Sequence, residues 1–357
     1  MSKTAVPSKP RTAYLVLGMH RSGTSAVTQL LALAGATLPA NVMPGDEHNA
    51  KGYFEPWKIA IFNDERLRAG GSAWDDPFAF PYAPLRADEE DAWAERATAL
   101  FDEEFPRTPW PLMKDPRATV LLPLWRRVLD ARGVAARCVI PVRHPLAVAG
   151  SLRRRDGFAA EKSVLVWSAY MLAAEAYTRD LPRAFVGYDA LLADWRAEVA
   201  RIEAAHAAPL PRLTEAAGKR IDGFLTPELR HNAGDDGLEA LGWAGEIAAQ
   251  VLGWFQARAA GEAPDPRALD AAAARLAERR REIGALVSPM ARDLSVARIE
   301  LADALARLQV AEGLEAELRA LTRRLEDGWR ADQRNLDTAL QLLDRIDAEA
   351  SEALARK

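Results

Sequence analysis

A short loop between an apolar run and a helical pattern carries residue types suited to binding an anion. Residues 18–25 read GMHRSGTS, with glycine at both position 18 and position 23. Glycine lets the backbone turn tightly and approach a ligand closely. Arg21 supplies a positive charge inside the loop, and the first N–H groups of the next helix are expected to point into it. The sequence therefore predicts a phosphate site in this loop.

The loop keeps the spacing of an ATP-binding loop but lacks its lysine. That motif is G-x-x-x-x-G-K-[ST], and here Thr24 occupies the lysine position while Ser25 retains the hydroxyl. The hydroxyl could bind a phosphate directly or help to hold magnesium. A P-loop kinase or related nucleotide-binding enzyme is one interpretation, with Asp115 or Asp189 as the magnesium acid. A simple glycine turn between a strand and a helix is another.

A second basic residue follows a buried apolar run further along the chain. In VIPVRHPLAVAGSL, Arg143 ends the run and Ser151 lies eight residues later, two turns into a predicted helix. The planar guanidinium of arginine suits phosphate, and the serine is placed to donate to the same group. The segment RRRD at 153–156 adds positive charge nearby. The structural alternative is an arginine at a strand end and a helical serine that faces solvent.

Together these motifs resemble those of sulfotransferases that use 3′-phosphoadenosine 5′-phosphosulfate (PAPS). RSGTS resembles the family's 5′-phosphosulfate loop, and the arginine–serine spacing resembles its 3′-phosphate site. HRSGTS, KGYFE and KDPR closely resemble a bacterial subgroup, and the resemblance covers roughly residues 13–205. It implies a PAPS co-substrate without a metal. The cofactor-binding residues that it implies are His20, Arg21, Ser22, Gly23, Thr24, Ser25, Arg143 and Ser151.

The resemblance also implies the catalytic groups. PLMKDPRATVLLPLW resembles the strand end where cytosolic sulfotransferases carry K-T-H, which places the family's lysine at Lys114 and its histidine at Pro116. A base is then expected in GDEHNAKGYFEPW, because several sulfotransferases, the tyrosylprotein and heparan types among them, use a glutamate from this region. Glu55 is preferred because it immediately precedes a predicted helix. The alternatives are Glu47, His48 and Asp115.

Two further segments are assigned to the ligands. Arg230 and His231, in LRHNAGDD, are predicted to close over the nucleotide. The resemblance favours a hydroxyl on a carbohydrate or glycolipid as the acceptor. The aromatic segment WDDPFAFPYAP either lines the acceptor pocket or is ordinary packing; its aromatic residues are Trp74, Phe78, Phe80 and Tyr82.

The elements that must position these residues alternate between strands and helices. This pattern predicts an α/β fold, a P-loop-type parallel sheet flanked by helices, with ligands at the carboxyl ends of the strands. Each of the motifs falls at such an end. One helix is expected over 189–206 with Asp189 as its N-cap, and residues 213–237 are expected to be irregular.

Composition and pattern also bound the domain organisation. Residues 1–12 are predicted to be a disordered tail, 13–235 the sulfotransferase-like domain, 236–288 a helical extension and 289–357 an amphipathic helical or coiled-coil tail. The leucine spacing of the tail falls out of phase around Gly313 and Gly328. This predicts a broken coiled coil or a helical hairpin, with a charged face that is either solvated or used in homo-oligomerisation.

The bulk numbers exclude some classes of protein. The chain has 357 residues, 49% of them hydrophobic, and a net charge of −4, which disfavours general nucleic-acid binding. Its one cysteine, Cys138, rules out a disulfide within the chain and is predicted to be buried in a strand. Neither a signal peptide nor a transmembrane run is recognised, so a cytoplasmic protein is expected. A non-catalytic scaffold is the remaining alternative, against which Arg21, Lys114 and Arg143 argue.

Overall fold

A parallel β-sheet forms the centre of the fold. The computed structural model describes residues 11–45, 52–226 and 237–355. In these ranges the strands are β1 (Arg11–Val16), β2 (Leu112–Lys114), β3 (Val134–Val142) and β4 (Arg183–Gly187). They are all parallel, in the order β2-β1-β3-β4, and Val16 pairs with both Lys114 and Val139. The predicted parallel α/β sheet flanked by helices is therefore confirmed.

Helices connect the strands and cover the sheet. Their bounds are α1 (Thr24–Leu33), α2 (Trp57–Ala69), α3 (Ala87–Glu104), α4 (Arg117–Val120), α5 (Leu122–Ala131), α6 (Pro145–Asp156), α7 (Ala160–Ala176), α8 (Tyr188–Ala193), α9 (Trp195–His206), α10 (Glu215–Phe224), α11 (Gly242–Ala259) and α12 (Arg267–Ala355). A 3₁₀ turn at Leu238–Leu241 precedes α11.

The sheet is buried on both faces because its strands alternate between two apolar clusters. Ala13 and Leu15 of β1 belong to one cluster, and Tyr14 and Val16 belong to the other. Strands covered on both sides are near-continuous apolar runs, as these are. Cys138 of β3 is fully buried, as predicted. The carboxyl ends of β1, β2 and β3 thus meet at one edge of a rigid sheet.

Two predictions about local structure are wrong. The helix predicted over 189–206 is broken into α8 and α9, and its cap is Asp194, whose carboxylate accepts from the backbone N–H groups of Arg196 and Ala197 at 3.1 Å. Asp189 lies inside the first turn of α8. The segment 213–237 contains α10, which begins after the N-cap Thr214; residues 227–236 lie outside the described ranges. In both segments a helix begins at a capping side chain, Asp194 or Thr214, that the sequence interpretation did not identify.

The first strand begins earlier than its apolar pattern suggested. β1 includes Arg11 and Thr12, which the sequence pattern assigned to the tail. The Arg11 guanidinium donates to the carbonyls of Thr108 and Phe105 at 3.0 and 2.8 Å. A charged residue is therefore held in the strand by hydrogen bonds to a loop that is remote in sequence. Residues 1–10 lie outside the described ranges.

The chain divides into two compact units, Met1–Asp293 and Leu294–Lys357. The second unit is the later part of α12, which continues through Gly313 and Gly328, where the leucine pattern predicted breaks or a hairpin. An isolated glycine costs a helix only about 1 kcal/mol, which is too little to end a long one. No helix in the described ranges is both long enough and apolar enough to cross a bilayer.

Candidate functional site

The loop after β1 requires glycine at position 23. Gly23 has φ +90°, and a Cβ atom there would lie 2.3 Å from Cδ2 of Tyr188. Both the left-handed backbone and the close approach exclude other residues. Arg21 also adopts a positive φ of 67°. The loop thereby places its arginine beside β3 and begins α1 at Thr24.

The two arginines predicted to bind phosphate lie in one cleft. The Arg21 Nε donates to Ser151 Oγ at 2.8 Å, and the Arg143 Nη1 donates to the carbonyl oxygen of Arg21 at 2.9 Å. The Arg143 guanidinium also lies over the ring of Tyr188, 4.5 Å from its centroid. Arg21 from one motif is thus brought into direct contact with Arg143 and Ser151 from another, and Tyr188 adds an aromatic ring to which the sequence assigned no role.

Several positively charged side chains lie close together in the cleft. Burial is the main reason that the pKa of Arg21 is lowered, and the nearby Arg155, Arg143 and Arg154 lower it further. Burial likewise lowers the pKa of Arg143; Tyr188 and Asp189 act in the opposite direction, and Arg154 adds a smaller lowering. An anion placed between cations that are crowded and partly desolvated stabilises their charged forms strongly. The electrostatics of the cleft thus suit an anionic ligand.

Buried polar atoms in the cleft are left without protein partners. Within the described ranges, Ser22 Oγ and Arg143 Nη2 have no hydrogen-bond partner, and Ser22 is fully buried. An unsatisfied buried polar group costs about 1–3 kcal/mol. Phosphate oxygens would accept hydrogen bonds from both atoms. The residues present therefore fit an anion such as a phosphate group at this position.

A buried ion pair lies at the end of β2, next to the same loop. Lys114 and Glu55 are 2% and 3% exposed, and Lys114 Nζ donates to Glu55 Oε1 at 2.5 Å. The ammonium also donates to the carbonyl of Tyr53 at 3.0 Å and lies 3.5 Å from Ser25 Oγ. Phe54, with φ 58°, immediately precedes Glu55. Lys114, Glu55 and the hydroxyl of the loop are thus adjacent, although the three come from different segments.

Arg117 completes this charged cluster by approaching Oε2 of Glu55, the carboxylate oxygen that Lys114 does not contact. Its guanidinium lies 3.6 Å from Glu55 Oε2 and makes ion pairs with Asp64 and Asp115 at 2.8 and 2.9 Å. Asp115 accepts a further hydrogen bond from Asn63 at 2.6 Å. Asp115, an alternative base and magnesium acid in the sequence interpretation, therefore serves to hold Arg117. Among the described residues, no group of three or more potential metal ligands occurs.

His20 lies in an aromatic and cationic environment. It is 7% exposed, its ring is 4.8 Å from that of Trp74, and its Nε2 atom has no hydrogen-bond partner in the described ranges. Burial, followed by the charges of Arg117 and Arg155, holds the pKa of this imidazole well below its usual range. His20 is therefore neutral near pH 7, with a ring nitrogen able to accept or donate one hydrogen bond.

Trp74 is the member of the aromatic segment that reaches His20. Phe78 belongs to the apolar core, Phe80 packs on Tyr177, and the Tyr82 hydroxyl donates to Glu90 at 2.7 Å. Packing therefore accounts for these three residues. No local sequence signal distinguished Trp74 from its neighbours, because the distinction depends on where α7 and the loop after β1 meet.

Thr119 is a positioning residue that the motifs missed. Its hydroxyl oxygen accepts from the backbone N–H of Gly18 at 2.8 Å. Gly18 has φ 141°, and this bond fixes the point at which the loop leaves β1. The remaining predicted residues, Glu47, His48, Arg230 and His231, lie outside the described ranges.

The fold and the site define an α/β protein whose loop after β1 gathers cationic side chains at the carboxyl end of a parallel sheet. No protein-family model matches the chain, and no curated protein matches it. Among solved structures, it is similar to the sulfotransferase domain of the Synechococcus PCC 7002 olefin synthase, with 16% identity over 78% of this chain and 98% of that chain and a TM-score of 0.38. It is also similar to the sulfotransferase STF1 of Mycobacterium tuberculosis H37Rv, with 13% identity over 69% of this chain and 77% of that chain and a TM-score of 0.37. Because both scores are low, conclusions about activity must come from the site itself.

Proposed function

We propose that this protein is a sulfotransferase that moves the sulfuryl group of PAPS to a hydroxyl of a carbohydrate or glycolipid. The observation that carries the proposal is the single cationic cleft in which Arg21 contacts Ser151 and Arg143 contacts Arg21. A nucleotide with phosphates at both its 3′ and 5′ positions needs cations from two strand ends close together. The unpartnered Ser22 Oγ and Arg143 Nη2 supply further donors.

The residues divide between the two phosphate groups. Arg143 and Ser151 hold the 3′-phosphate, and the backbone of residues 22–25 at the start of α1 holds the 5′-phosphosulfate with the hydroxyls of Thr24 and Ser25. Arg21 lies between these groups, because its backbone belongs to the loop and its side chain reaches Ser151. Arg230 would add a contact from the late segment. A metal is not required, because arginine and lysine neutralise the charge.

Lys114 and Glu55 carry the transfer. As the acceptor oxygen bonds to sulfur, the bond from sulfur to the 5′-phosphate oxygen breaks and its electron pair stays on that oxygen. Lys114 stabilises this negative charge; its Nζ lies 3.5 Å from Oγ of Ser25 in the loop assigned to the 5′-phosphosulfate, which supports this role. Glu55 takes the hydroxyl proton of the acceptor; when Lys114 turns to the leaving oxygen, the carboxylate loses the partner that now occupies its Oε1. Glu47 is the second candidate for this base.

Nucleotide binding tests the first part of the proposal. Calorimetry should detect binding of adenosine 3′,5′-bisphosphate in the presence of EDTA. Arg143→Met should weaken this binding by roughly 10–100-fold, the change in affinity expected for the loss of one charged hydrogen-bonding group. Arg137→Met is the matched control, because Arg137 lies in β3 and contacts Tyr14. Binding that requires magnesium and prefers ATP would instead favour a P-loop kinase.

Transfer of label from sulfate-labelled PAPS tests the second part. Purified protein should label a component of a glycan and lipid extract from the host, and Glu55→Gln should abolish labelling while the bisphosphate still binds. Near wild-type turnover of Glu55→Gln together with an inactive Glu47→Gln would transfer the role of base to Glu47. Bisphosphate binding without labelling of any extract would favour a non-catalytic nucleotide-binding scaffold.

A further inference from the structure

The second unit exposes a long apolar stripe. Leu314, Leu318, Leu321 and Leu325 are between 52% and 68% exposed and follow one another at intervals of three or four residues. At about 100° per residue these positions fall on one side of the helix. Leucines at such spacing form the contact seam of a coiled coil. Exposed apolar surface of this extent marks a binding face.

The stripe has no partner available from its own helix. α12 runs without interruption from Arg267 to Ala355, so the described part of the second unit is a single helix with no turn that could fold another of its segments over the stripe. A hairpin within this helix, one of the two arrangements that the leucine pattern predicted, is thereby excluded. A surface that covers the stripe must therefore come from outside this helix. The order of apolar and charged residues along the stripe indicates which surface fits.

The apolar stripe is nearly its own mirror image in sequence. Its centre falls between Arg319 and Ala320, and residues equally distant from that centre have similar character. Reversing the direction of the helix therefore places apolar residues opposite apolar residues and small ones opposite small ones. The mirrored pairs are Val296 with Leu343, Ile299 with Leu340, Val310 with Trp329, Ala311 with Gly328, Leu314 with Leu325, and Leu318 with Leu321. The symmetry fails at Leu336, which mirrors Asp303, and at Glu300, which mirrors Ala339. Apolar residues on other sides of the helix do not follow it either, as Leu305 with Arg334 shows.

Two pairs of opposite charge also favour a reversed copy. Arg307 and Asp332, which lie on the same side of the helix as the leucines, mirror each other, although Arg307 also pairs with Asp303 of its own chain. Glu317 mirrors Thr322, and Arg324 of the reversed copy lies two residues beyond that position, on the side that faces Glu317. In the described ranges neither Glu317 nor Arg324 makes an ion pair within its own chain. A parallel in-register pair would instead place Arg307 against Arg307 and Asp332 against Asp332. Opposite charges across a coiled coil set its orientation, so the antiparallel arrangement is favoured.

We infer that residues 296–343 pair with the same segment of a second copy of this chain as an antiparallel two-stranded coiled coil. This segment is about 70 Å long at 1.5 Å per residue. The interface is isologous, because each residue and its mirror residue exchange places between the copies. The inference does not depend on the proposed sulfotransferase activity.

Sedimentation velocity of the full chain tests the inference. The wild type should be a dimer at micromolar concentration, and Leu318→Lys should weaken dimerisation by about a hundredfold, because each of the two copies loses a buried leucine. Leu305→Lys is the matched control: Leu305 is 52% exposed but lies on roughly the opposite side of the helix. A monomeric wild type would overturn the inference, as would equal effects of the two substitutions.

Charge exchange tests the antiparallel orientation. Glu317→Arg alone and Arg324→Glu alone should each weaken the homodimer, because each leaves like charges opposite each other. The double variant should recover wild-type affinity. A mixture of the two single variants should form heterodimers in preference to either homodimer, since only the mixed pair restores both Glu–Arg contacts. Dimers that show no preference in this mixture would overturn the antiparallel pairing.

Discussion

Because Lys114 and Glu55 form a buried ion pair, replacing one of the two residues should lower stability more than replacing both. Both side chains are nearly inaccessible to solvent. Removing one partner of a buried ion pair leaves an uncompensated charge and typically costs about 3–5 kcal/mol of stability. In Lys114→Met, the Glu55 carboxylate still faces Arg117 at 3.6 Å. This remaining cation places the expected loss at the lower limit, about 3 kcal/mol.

The double variant Lys114→Met/Glu55→Gln removes both charges. It should be more stable than Lys114→Met by about 1–2 kcal/mol, because a neutral amide replaces the stranded carboxylate while Arg117 keeps Asp64 and Asp115 as partners. Both variants should lack sulfuryl transfer. The two variants would then differ in stability but not in activity, which separates the structural role of the pair from its proposed catalytic role.

Urea unfolding monitored by tryptophan fluorescence measures these differences, with the wild type and Lys58→Met as references. Lys58 pairs with Glu103 at the surface, where its side chain is 33% exposed, and surface pairs contribute at most about 1 kcal/mol. If Lys114→Met is as stable as Lys58→Met, the Lys114–Glu55 contact is not a desolvated ion pair. If the double variant is less stable than Lys114→Met, the stranded-charge explanation is wrong.

Three further outcomes follow from other parts of the site. Gly23→Ala should lower both stability and affinity for adenosine 3′,5′-bisphosphate, because the added Cβ would displace the Tyr188 ring that lies under Arg143; calorimetry showing unchanged binding would contradict this. Because the folded pKa of His20 is lowered, the unfolded chain binds more protons just below pH 6.5, so stability is full above that pH and falls as the pH drops towards the folded pKa. His20→Asn should reduce this pH dependence in urea titrations, and an unchanged slope would refute it. Burial raises the pKa of the Cys138 thiol to about 12, so iodoacetamide should label it only after unfolding, and rapid labelling of the native chain would show otherwise.

Several features of the fold could be predicted because they depend on residues that are close together in the sequence. Apolar runs buried on both faces identified strands such as β3, and the glycines of GMHRSGTS indicated the turn from β1 to α1. Local pattern was less reliable at helix ends. Asp194 rather than Asp189 provides a cap, because its backbone is not helical, with φ −150° and ψ 84°, and its carboxylate reaches the following N–H groups. α12 passes Gly313 and Gly328, because the surrounding residues favour a helix enough to outweigh them.

By itself, the sequence determined the types of residue available at the candidate site: Arg21 in a glycine loop, Lys114 after a short apolar run and Arg143 at the end of another. Only the tertiary structure decided which of them touch. The Arg21–Ser151 hydrogen bond joins residues 130 positions apart, and Lys114–Glu55 joins residues 59 apart. Contacts at such separations depend on the order of strands in the sheet, which places β1 between β2 and β3. Local propensities identify each strand, whereas the packing of the whole unit selects its neighbours.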